Sequence, residues 1–102
     1  MQIDRTWTIT FDQIEQERLK SEVSLLELPT DFGHPLLLRV IGASQITLPL
    51  RAIDRLVAEI DTARTTFLSK NNSLLEYRRR FPTVISFYEE LVSLANPHRR
   101  SA

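Results

Sequence analysis

The chain has no cysteine and only two glycines, Gly33 and Gly42, in 102 residues. The first absence removes disulfides, thiolate nucleophiles and cysteine metal sites together. The second leaves no glycine-rich loop to cradle a phosphate. Neither G-x-x-x-x-G-K-[ST] nor G-x-G-x-x-G occurs, and H-E-x-x-H and G-x-S-x-G are missing too. A nucleotide-dependent enzyme is not expected, and no cofactor is implied. Net charge is also absent, because thirteen Lys and Arg balance thirteen Asp and Glu. No overall field therefore draws the molecule toward nucleic acid or an anionic surface. No apolar run approaches the ~20 residues that span a bilayer. The start, Met1 to Arg5, lacks the charged-then-apolar pattern of a secretory leader. The expected compartment is the cytoplasm, with no membrane partner.

What is present is an ordinary globular composition, 42% apolar and 25% charged. A chain of this length has room for one core, expected over residues 1–97, with 98–102 as a flexible C-terminal tail. Charge is unevenly placed. Residues 1–50 carry four basic and seven acidic side chains, whereas 51–102 carry nine basic and six acidic. The first half is mildly acidic and the second mildly basic, an asymmetry able to steer a partner or a second copy.

Ile3, Trp7, Ile9 and Phe11 fall on one parity against Asp4 and three threonines, which predicts a half-buried strand over 3–11. Residues 12–20 hold only Ile14 and Leu19 as apolar groups, although Asp12 and Glu15 fit a capping box, so a short helical turn or a polar loop is expected there. Glu22 to Leu28 reads as a second strand. Leu36 to Ile41, almost wholly apolar, reads as a central strand covered on both faces, and Gln45 to Leu48 as a fourth. Short links favour antiparallel neighbours, hence a meander.

The second half is helical. Pro49 fits a first helical turn, and Ile53, Leu56, Val57, Ile60, Ala63 and Phe67 recur at three- and four-residue steps. Asn71-Asn72 can end this helix in the left-handed conformation. Ser73 and Glu76 form a second capping box, and Pro82 forces a break before a last helix that runs to about Ala95. The predicted fold class is α+β: a four-stranded antiparallel sheet, then a long amphipathic helix and a C-terminal helix pair broken near Pro82, all on one face.

Chemistry is sparse. His34 and His98 have no ligand-spaced partners, so no metal site is expected. Glu89 and Glu90 point about 100° apart on a helix, and they read as a solvated face like Glu15 and Glu17. No catalytic residue is assigned. Phe32 and His34, in the turn-rich stretch 29–35, are candidate partner contacts; the Phe32 ring either tucks back over the sheet edge or marks a contact site. Tyr77, Arg78, Arg79 and Arg80 are candidates for phosphate or nucleic-acid contact, since arginine beside an aromatic ring suits phosphate and base alike. The bland alternative is solubilising charge paired with Glu76.

The leading functional expectation is a non-enzymatic protein-interaction module: a regulator, adaptor or assembly factor. Apolar residues of both parities in the second and third strands exceed what the helices can hide, so a homodimer through the sheet or a dedicated protein partner is expected. The second expectation is a single-stranded nucleic-acid binder. A four-stranded meander followed by a helix beginning Ile-Thr-Leu-Pro-Leu is similar, over residues 3–68 and in order of elements, to the Whirly-like and Pur-type domains, which implies such a partner. A small enzyme is the third.

Overall fold

The structure, a computed structural model, describes residues 2–3, 7–29 and 33–95. The expected tail 98–102 lies outside them. In chain order the elements are β1 (Gln2–Ile3), β2 (Thr8–Thr10), α1 (Gln13–Val23), α2 (Leu36–Ile41), β3 (Gln45–Thr47), α3 (Leu50–Ser69), α4 (Leu74–Arg80) and α5 (Pro82–Ala95). The central α3 packs against α2, α4 and α5, and α1 packs against α2 and α5. A small antiparallel sheet, order β1-β2-β3, joins this helical body.

The four-stranded meander is therefore corrected to a mainly helical fold with a minor sheet. The stretch expected as one strand, 3–11, is a reversal: Ile3 pairs with Ile9 and Gln2 with Thr10. Trp7 leads into β2 with φ +61°, a left-handed backbone uncommon for a bulky residue. The expected strand 22–28 is the end of α1 followed by tight turns, with Leu25 N–H bonded to the Glu22 carbonyl and Leu26 N–H to that of Val23. The expected central strand is α2. An apolar run of six cannot be assigned to strand or helix by periodicity alone. In α2 the buried members are Leu37, Val40 and Ile41, a three-and-four spacing, while Leu38 and Arg39 face out.

A carboxylate on another helix decides the matter. Glu59, in the middle of α3 and only 4% exposed, accepts the N–H of Leu36 through Oε2 and that of Leu37 through Oε1, both at 2.9 Å. It caps α2 from the side, where Pro35 offers no side-chain cap of its own. Arg55, one turn earlier on α3, donates Nε to Glu59 Oε2 at 3.0 Å and so compensates the buried charge.

Segment 12–20, expected as a short helical turn or a polar loop, forms the N-cap and most of helix α1. Its apolar stripe is as thin as the sequence indicates, Leu19 and Val23 buried and Ile14 64% exposed. Polar side chains substitute for the missing stripe. Asp12 accepts Glu15 N–H at 2.8 Å, and the backbone donor holds its carboxyl below the usual range. Gln16 donates Nε2 to the Ile41 carbonyl at the far end of α2, 2.9 Å. Glu22 accepts the N–H groups of Thr83 and Val84 at 3.0 Å, capping α5 behind Pro82.

The sheet explains why its expected self-association loses its ground. Ile3, Ile9 and Ile46 stand opposite one another across the three strands, and this row packs on the helices. The opposite parity shows Thr8, Thr10, Gln45 and Thr47, with Thr8 and Thr47 hydroxyls 2.7 Å apart. That outer side is polar. Of the apolar residues in the expected second and third strands, Val23, Leu26, Leu37, Val40 and Ile41 are buried within one copy, whereas Leu25 and Leu38 stay exposed.

Glu59→Ala leaves two helix-end donors of α2 without an acceptor, so a loss of about 2–4 kcal/mol is expected from urea unfolding. Glu90→Ala, on the exposed side of α5, is expected to stay within about 0.5 kcal/mol. A Glu59→Ala loss under about 1 kcal/mol would show that α2 does not hang on this cap.

Candidate functional site

The arginine run sits on α4, seven residues long. Ser73 Oγ accepts Glu76 N–H at 3.1 Å at its start, and Phe81 joins it to α5 at its end. Tyr77 turns inward. Its ring is 5.8 Å from Phe67 and 5.3 Å from Phe81, and the residue is 3% exposed. A ring this deeply buried leaves a base little surface to stack on. With Tyr77 as the anchor, the three arginines fan over about 200° of helix surface and part company. Arg78 lines a cleft shared by α3, α4 and α5, whereas Arg79 and Arg80 line a separate groove facing α1. Arg80 also lies 3.6 Å from Glu76, as the bland reading allows.

Of the other two expected contacts, Phe32 lies outside the described residues. His34 is exposed, follows Gly33 at φ +91°, and its carbonyl accepts from Arg55 Nη2 at 3.3 Å. It lines a concavity of about 210 Å3 with Pro35, Leu36, Arg39 and Arg55. Among the described residues no three His, Asp or Glu side chains gather as a metal ion would require. No described helix is long and apolar enough to cross a membrane.

The cleft is built by three helices. It encloses about 180 Å3, and each helix contributes a compact set of neighbours to it. From α3 come Ile60, Asp61 and Arg64; from α4, Leu74, Tyr77 and Arg78; from α5, Ile85, Tyr88 and Glu89. The α4 and α5 sets have the i, i+3, i+4 spacing of one helical face. Ile60 and Tyr77 are buried, Ile85 and Tyr88 half-buried, and Arg64, Arg78 and Glu89 exposed, giving an apolar base under a charged rim. The Tyr88 phenol faces the Asp61 carboxylate, which favours its protonated form. Arg64 and Arg78 have no ion-pair partner among the described residues.

Sequence reading passed over Arg64, Asp61, Ile85 and Tyr88. The available signal was the border of each amphipathic stripe, where an apolar residue has a charged or phenolic one a turn away. That pattern marks any helix edge. Only the convergence of three such edges makes a site.

Both tyrosines of the cleft hold their protons more tightly than usual. Burial raises Tyr77, opposed in part by the charge of Arg64. Burial also raises Tyr88, helped by the neighbouring Asp61 carboxylate, beside which a phenolate would be repelled. An acid raised in the folded state stabilises the fold below its unfolded value and loses that contribution as pH climbs through the folded one. The tyrosine contribution is thus expected to be constant below pH ~10 and to fall above it. Urea midpoints followed between about pH 8 and pH 11 should drop less steeply in Tyr77→Phe than in the natural chain. Identical slopes would contradict the assignment.

Compared with known proteins, the chain matches no family model, no curated protein and no solved structure.

Proposed function

We propose that this chain is a non-enzymatic protein-interaction module, a regulator, adaptor or assembly factor, that seats one large apolar side chain of its partner in the α3/α4/α5 cleft. The observation that carries this is the size and lining of the cleft. At about 180 Å3 it is close to the ~150 Å3 apolar cavity known to hold a benzene ring. It is smaller than the roughly 300–1,000 Å3 of ordinary cofactor and small-molecule sites. An apolar base rimmed by arginine and tyrosine matches the make-up of interface hot spots, where one anchor residue fills a desolvated pocket.

Two features favour binding over catalysis. General acid–base groups work best with proton affinities near the operating pH, whereas the cleft's two shifted groups, Tyr77 and Tyr88, move upward and away from neutrality. The cleft also offers no serine or threonine, in a chain without cysteine, to act as a nucleophile. Sheet-mediated pairing forms no part of the proposal, because the outer sheet side is polar.

The test is capture from native cell extract with the natural chain and two cleft variants, each with and without nuclease. Ile85→Trp fills the base, and Leu74→Arg alters the exposed wall of the cleft. Circular dichroism confirms that each variant is folded. A protein partner kept after nuclease and weakened by about 30-fold or more in both variants is expected, the worth of a hot-spot anchor. Identical partners for all three proteins would sink the proposal, and partners that vanish with nuclease would favour nucleic-acid binding.

A further inference from the structure

The groove on the other side of α4 is a different kind of site. It lies between α1 and the α4–α5 junction and measures about 550 Å3, within the roughly 300–1,000 Å3 range of small-ligand sites. Arg18 reaches it from α1, Arg79 and Arg80 from the end of α4, and the Thr83 and Ser86 side chains from the first turns of α5. Three guanidinium groups from two elements far apart in sequence therefore share one concavity.

The acidic side chains around them are in part engaged elsewhere. Glu22 lines the groove, but its carboxylate is engaged by the Thr83 and Val84 N–H groups at 3.0 Å, where the positive end of α5 compensates it. Those two N–H groups are thereby closed to any ligand, so the site rests on side chains and not on the helix end. Arg80 shares an exposed 3.6 Å contact with Glu76, a pair of little energetic weight. Arg18 and Arg79 have no ion-pair partner among the described residues. Glu15 is the other carboxylate lining the groove. Three guanidinium groups line the groove against two carboxylates.

We propose that this groove binds the phosphate or diphosphate group of a small organic phosphate. The guanidinium fork matches phosphate oxygens two at a time, and the Thr83 and Ser86 hydroxyls supply further donors. The occupant is small because no aromatic ring lines the groove. Tyr77 and Phe81, the rings that flank the arginine run in sequence, are packed against each other and against Phe67. A single strand of nucleic acid draws much of its affinity from bases stacked on such rings, and none is offered. This site is separate from the partner cleft, and each stands if the other falls.

The experiment is titration of the full chain with inorganic pyrophosphate, and separately inorganic phosphate, at low salt, followed by calorimetry and by the amide NMR signals of Thr83 and Ser86. Saturable pyrophosphate binding is expected, with Arg18→Gln and Arg79→Gln each weakening it about tenfold. Arg64→Gln, the same charge change in the other cleft, is expected to leave it unaltered. Absence of saturation at about 10 mM pyrophosphate, or equal weakening by Arg64→Gln, would overturn the site. Two further arms separate the sources of phosphate. A single-stranded oligonucleotide or a vesicle of anionic phospholipid that binds through Arg18 and Arg79 while pyrophosphate does not compete would also overturn it.

Discussion

Glu59 holds the arrangement of this protein together at one point. Its carboxylate lies inside the core, bonded to two backbone N–H groups of α2 and to the Arg55 guanidinium. A buried carboxylate without such partners costs several kcal/mol, by order of magnitude. Here the cost is met by closing the start of a six-residue helix too short to be stable alone. Helix α2 in turn delivers Leu37, Val40 and Ile41 to the core and presents its last carbonyl to Gln16 of α1. Remove the carboxylate, and the side of the core between α1 and α3 loses its organiser.

The same device recurs with Glu22 and α5. In both places a helix begins at or just after a proline, with no side-chain cap described for it, and a glutamate from a different helix closes its end. Helices are thus joined end to side by polar bonds, while the aromatic contacts Phe11–Phe87, Phe67–Tyr77 and Phe67–Phe81 fill the space between them. This placement has a consequence for the surface. Fixing α4 by burying Tyr77 and Phe81 divides the arginine run between two concavities of different lining.

The long helix α3 was legible because a twenty-residue amphipathic pattern has one physical solution, and its end was legible because Asn71 takes the left-handed conformation, φ +65°. Ser73 and Pro82 marked the ends of α4 and the start of α5 for equally local reasons. The strands failed where the signal was not local. Leu36–Ile41 is apolar in every position but Arg39, and such a run fits a covered strand as well as a buried helix. Helix α1 has too few apolar residues to declare itself, and its support comes from partners 25 and 61 residues away. Of the proposed sites, the arginines were visible and their division was not. Arg18 carried no mark in the sequence, and Arg64 only that of a helix edge.

The sequence by itself determined the helical second half, the caps that bound it, and the exclusion of thiol and glycine-loop chemistry, since periodicity, proline and composition act within a few residues. Tertiary structure alone decided that two supposed strands are helical or turn, that the sheet's outer side is polar, and that nine residues from three helices meet in a cleft. Those outcomes depend on which distant carboxylate satisfies which helix end, and a backbone N–H carries no record in its own neighbourhood of the acceptor that will find it.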